Sequence, residues 1–64
     1  MRFPAGAEKQ CRVQAQANAD WFRADWCVFL DTSGGWNCER YDPKRPSHWE
    51  NAGVYKPGDG QVRG

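Results

Sequence analysis

The chain has 64 residues, 39% of them hydrophobic and 27% charged, with nine basic and eight acidic side chains for a formal net charge of +1. So short a chain forms one domain and hides only roughly 60% of its unfolded surface, which excludes a large core. The near-neutral charge provides no long-range field toward nucleic acid or an anionic membrane, no segment approaches the roughly 20 apolar residues of a membrane span, and three cysteines are too few for a disulfide framework.

Residues 1–6, MRFPAG, read as a loose arm. The N-terminus carries a basic residue but turns polar by Glu8, so it lacks the apolar core of a signal peptide. An odd cysteine count leaves at least one thiol free, which argues against an oxidising compartment. The expectation is a cytoplasmic protein with no membrane association.

The folded part is expected over residues 7–56. From Ala7, the stretch AEKQCRVQAQANADWFRA is rich in residues that lose little freedom in a helix. At helical spacing Ala7, Cys11, Ala15, Ala19 and Phe22 form one stripe with Trp21 at its edge, and its small residues would let the helix lie close on a sheet. Cys11, Val13, Ala15, Ala17, Ala19 and Trp21 also alternate at period two, but Ala and Gln are weak strand formers, which favours the helix. Trp21 and Trp26 are expected in the core.

Trp21 to Tyr41 holds six of the nine aromatic residues. Within it WCVFL, from Trp26 to Leu30, is a continuous apolar run of strand type, and DTSGG is a turn cluster in which Gly34 and Gly35 accept positive φ. WNCERY then returns as a second strand. With TSGG as the loop, Asp31 faces Trp36 and Phe29 faces Cys38. One face then carries Cys27, Phe29, Trp36 and Cys38, and the other Trp26, Val28, Leu30 and Tyr41. Both faces are apolar, and one helix covers only one of them. The second cover comes either from residues 46–56 or from another copy of the chain, and the expectation drawn is a homo-oligomer, with a dimer favoured.

DPKRPS reads as an irregular loop, SHWENAGVYK holds enough apolar residues for a third short strand or packed turn, and residues 57–64 read as a frayed tail. The architecture is therefore α+β: an N-terminal helix packed on a β-hairpin, with a possible third short strand and completion by self-association.

Cys11, Cys27, Cys38 and His48 have the chemistry of a Cys₃His zinc centre. Their spacings of 16, 11 and 10 positions include no paired knuckle, so no metal and no cofactor is expected. Cys27 or Cys38 with His48 and an acid supplies the residue types of a thiol nucleophile, but no local signature positions them, and the chain is read as non-enzymatic. The binding surface is sought in Trp36, Arg40, Tyr41, Arg45, His48 and Trp49, where exposed rings stand beside cations. Such a set can stack on bases and meet phosphates, but Glu39, Asp42 and Glu50 interrupt every basic cluster, so nucleic acid is the alternative rather than the favoured partner.

Two resemblances bear on these residues. TSGGWNCERYDP resembles the end of the in-between-RING zinc domain of RBR-type ubiquitin ligases over about a dozen residues. That pattern requires paired cysteines and histidines upstream which this chain lacks, so the likeness is treated as coincidence and no ligase residue is carried over. The order of parts, an Ala-rich helix, an apolar strand, a turn and a Trp-bearing strand, resembles short orphan proteins encoded on mobile elements such as integron gene cassettes and plasmids. It implies a small accessory α+β protein and no assigned activity.

Overall fold

The computed structural model describes residues 1–58. One α-helix packs on a four-stranded antiparallel sheet. The elements run β1 (Arg2–Phe3), α1 (Glu8–Phe22), β2 (Trp26–Leu30), β3 (Trp36–Arg40), a 3₁₀ turn (Pro46–His48) and β4 (Gly53–Tyr55). In space the strand order is β1-β3-β2-β4, with the hairpin β2–β3 at the centre and the two shortest strands at the edges. The α+β expectation holds. The segment 1–6, read as a loose arm, contributes an edge strand, Phe3 pairing with Trp36. Pro57 and Gly58 form a turn tied to the helix through the Gly58 N–H, which donates to Asp20 Oδ1 at 2.8 Å, and the rest of the expected tail lies outside the described residues.

Helix α1 buries Cys11, Ala15, Asn18 and Ala19 along one stripe. Three of these are small, so the helix settles closely on Val28 and Cys38 of the hairpin, with Phe3, Trp26, Trp36 and Tyr55 around the rim. Arg12 fastens the helix to β4: its guanidinium donates to Tyr55 Oη at 3.1 Å and to the Ala52 carbonyl at 3.2 Å, and it lies 5.6 Å from the Trp36 ring. The helix ends at Arg23, which adopts the left-handed conformation at φ 55° and returns its N–H to the Ala19 carbonyl. Trp21, expected in the core, is 81% exposed, because it falls beyond the edge of the buried stripe.

The hairpin register differs by one residue from the expected one. Leu30 pairs with Trp36, Val28 with Cys38 and Cys27 with Glu39. The loop is three residues long, Thr32–Gly34: the Gly34 N–H donates to the Asp31 carbonyl at 3.1 Å, and the Asp31 N–H to the Gly35 carbonyl at 2.9 Å. Gly34 supplies the positive φ of 89° that this turn requires. An odd loop in place of an even one turns every β3 side chain to the other face. Trp36 and Cys38 therefore join Trp26, Val28 and Leu30 under the helix, while Cys27 and Phe29 share the outer face with Asn37 and Glu39.

Asp31 holds this turn. Its Oδ1 accepts from the Ser33 N–H at 2.9 Å, the Ser33 hydroxyl at 2.7 Å and the Gly35 N–H at 2.9 Å, while Oδ2 accepts from Asn37 at 2.8 Å and Arg2 at 2.9 Å. These donors favour the charged form and hold the carboxyl well below its ordinary value, the Ser33 bonds contributing most. Through Arg2 the same carboxylate anchors β1.

The outer face is covered by the chain itself. The 3₁₀ turn lies over β2, and its His48 is fully buried against Phe29 at 5.3 Å between ring centroids and against Tyr41 at 6.1 Å. Of the two covers foreseen for this face, residues 46–56 supply one, so an uncovered sheet face is no longer a reason for a second chain.

Candidate functional site

The candidate residues segregate onto two sides of the sheet. Trp36 and Arg40 alternate with Cys38 on the helix side of β3, where Trp36 packs against the core under Arg12 and Arg40 is exposed at the strand end. Arg45 and His48 meet Glu39 on the outer side, Tyr41 stacks on His48, and Trp49 follows on the same loop. The expected set of six is thus a set of four with two outliers.

Two successive turns build this outer loop. Asp42 starts the first: its carboxylate accepts from the Lys44 N–H at 2.9 Å and its carbonyl from the Arg45 N–H at 3.0 Å, with Pro43 between them setting φ. Pro46 opens the 3₁₀ turn, in which the His48 N–H reaches the Arg45 carbonyl at 2.9 Å and the Trp49 N–H reaches Pro46 at 3.0 Å. Asn51 then joins the turn to β4, donating to the His48 carbonyl at 2.7 Å and accepting from the Gly53 N–H at 3.0 Å.

His48 is the peg of the loop. Its Nδ1 accepts from the Asp42 N–H at 3.0 Å, which leaves the ring proton on Nε2, and Nε2 donates to Glu39 Oε1 at 2.9 Å. Both ring nitrogens are satisfied and neither faces solvent, so the ring is structural. Arg45 meets the same Glu39 oxygen at 3.7 Å from an exposed position, a weak ion pair.

Trp49 is the opposite case. Its ring is 67% exposed, yet its indole N–H donates to the Pro43 carbonyl at 2.9 Å. The loop therefore presents a fixed aromatic surface, with the exposed Lys44 and Arg45 on the same loop. Glu39, in sequence only an interruption of the basic cluster, ties His48 and Arg45 together. The Pro43 carbonyl that fixes Trp49 has no signature in side-chain chemistry.

The three thiols are free, buried and divided by the sheet. Cys11 and Cys38 meet under the helix, while Cys27 lies on the outer side. Burial is the first cause that raises all three, pushing Cys11 and Cys27 up to about 11, with Cys38 adding to the shift of Cys11 and the Glu39 carboxylate to that of Cys27. His48 has no spare nitrogen to take a proton from any of them. Because Cys11 and Cys38 lie on the other side of the sheet from Cys27 and His48, these four do not converge, and among the described residues no group of three or more His, Cys, Asp or Glu side chains is placed to hold a metal ion. No helix among the described residues is long and apolar enough to cross a membrane. Compared with family models, with curated proteins and with solved structures, the chain finds no match.

Proposed function

We propose that this chain is a small, non-enzymatic binding module whose recognition element is the loop Tyr41–Trp49. The observation that carries this reading is Trp49, open on its face and held at its edge by the Pro43 carbonyl. A large ring fixed before contact gives binding area at low entropic cost. His48 and Asp42 keep the loop in shape from below, so the surface exists without a ligand. The raised, buried thiols support a binding role over thiol catalysis, since little thiolate forms near neutral pH.

A cytoplasmic setting belongs to the same reading, supported by three free cysteines. So does an accessory role on a mobile genetic element, which rests on the order of helix, strand, turn and Trp-bearing strand.

The test is peptide selection from a random library against the whole chain. Selected peptides bind the wild type and lose about tenfold or more in affinity for Trp49→Ala. Peptides that bind Trp49→Ala as tightly as the wild type overturn the assignment of the loop. A second reading, single-stranded nucleic acid, is favoured by the exposed cations Lys44 and Arg45 on the Trp49 loop. Under it a mixed-sequence oligonucleotide quenches indole fluorescence and salt reverses the effect; unchanged fluorescence removes it.

A further inference from the structure

We propose that α1 pairs with a second copy of itself, antiparallel and about a two-fold axis beside Ala17, through the face that carries Val13, Ala17 and Trp21. This surface is separate from the Trp49 loop and does not depend on its role.

The helix has three sides. One lies on the sheet with Cys11, Ala15 and Ala19, and a second, with Arg12 and Gln16, is bonded to β4 and the segment after it. The third carries Gln10, Val13, Gln14, Ala17 and Trp21, and along its whole length it has no charged residue. A helix face that only meets water is ordinarily charged. Here Val13 is 62% and Trp21 81% exposed, which sets large apolar side chains in solvent at both ends of a neutral stripe.

The stripe is complementary to itself. At its N-terminal end a hollow of about 550 Å³ is bounded by Phe3, Lys9, Gln10, Val13 and Gln14. At its C-terminal end stands the Trp21 ring. Val13 and Trp21 are two turns of helix apart with Ala17 midway, so a two-fold axis beside Ala17 lays each Trp21 over the other copy's Val13 and its hollow. The small Ala17 side chains allow the two helices to approach closely at the axis.

Charge selects the same arrangement. Lys9 and Asp20 flank the stripe on one side, at opposite ends of the helix. Antiparallel pairing about this axis keeps that flank on the same side of both copies and brings the lysine end of each toward the aspartate end of the other. One helix pair with a Trp at each end lies at the small end of specific interfaces, and the dissociation constant expected is on the order of 10 µM.

Sedimentation equilibrium on the whole chain decides the matter. The mass is expected to rise from 7.3 kDa toward twice that value as concentration increases through the micromolar range. Ala17→Glu places two carboxylates together at the axis and is expected to stay monomeric, with helical circular dichroism unchanged and a melting temperature matching the wild type when both are compared well below the dissociation constant, because Ala17 is exposed. Trp21→Ala, which removes the knob and adds no charge, weakens the dimer about tenfold or more. A wild type that remains monomeric at roughly 500 µM, or an Ala17→Glu variant that dimerises as well as the wild type, overturns the proposal.

Discussion

The two faces of the sheet are closed by different means. Under the helix, Cys11 and Ala15 meet Val28 and Cys38, with Ala19 buried further along the same stripe, as a set of fully buried side chains each making a modest share of the contact. On the outer side one imidazole does the corresponding work: His48 packs at a tilt against Phe29, stacks on Tyr41, receives the Asp42 N–H and donates to Glu39. Burial spread over many methyl-sized groups tolerates loss at any one of them. A layer held by one hydrogen-bonded ring does not, because removing the ring leaves both a void and unpaired polar groups. The inner face is thus the robust half of the molecule, and the outer face, which carries the Trp49 loop, is the half that a single substitution can open.

The sharpest way to break this contrast is His48→Ala. The change is expected to cost about 3 kcal/mol, a large part of the roughly 3–9 kcal/mol available to a chain of this length, as measured by chemical denaturation. Cys11→Ala, the inner counterpart, is expected to cost only about 1 kcal/mol, since one sulfur is lost from a surface shared with Ala15 and Ala19. Equal costs at the two sites would dissolve the distinction.

Asp31→Asn removes at every pH the charge that the Ser33, Asn37 and Arg2 donors hold, and it leaves the most specific signature. Asp31 has its folded value depressed below the ordinary 3.8, so its charge stabilises the fold above that pH and the contribution is lost as pH falls through the depressed value. The wild-type melting temperature is expected to drop steadily below about pH 4, and the Asn variant to be flatter over the same window. A parallel acid response in both proteins would remove Asp31 as the source.

Much of this fold was legible in the sequence, and the exceptions have physical causes. The helix is signalled by its Ala, Gln and Lys content and by the Cys11, Ala15, Ala19 stripe. The hairpin is signalled by WCVFL and by the glycines. The register was not, because Asp31 to Gly35 accommodates a loop of three or four residues, and only the capture of the Ser33 and Gly35 N–H groups by Asp31 selects three. That one-residue difference moved Trp36 and Cys38 under the helix and took Trp36 out of the candidate site. β1 is two residues long and carries no periodicity to read. For the site itself, the exposed Trp49 was legible from its Pro-rich setting. The role of His48 was not, since its burial depends on Phe29 and Glu39, residues distant in sequence that the folded hairpin places beneath it.

His48 is the peg on which the outer layer depends, and amide hydrogen exchange at Asp42 tests this most directly. In the wild type the Asp42 N–H, bonded to His48 Nδ1, is expected to be protected although Asp42 is exposed. In His48→Ala the Asp42 amide is expected to exchange at the rate of an unstructured chain while the Asn37 amide, paired with Phe29 in the central hairpin, stays protected. An unprotected Asp42 amide in the wild type, or one that stays protected without His48, would contradict the account.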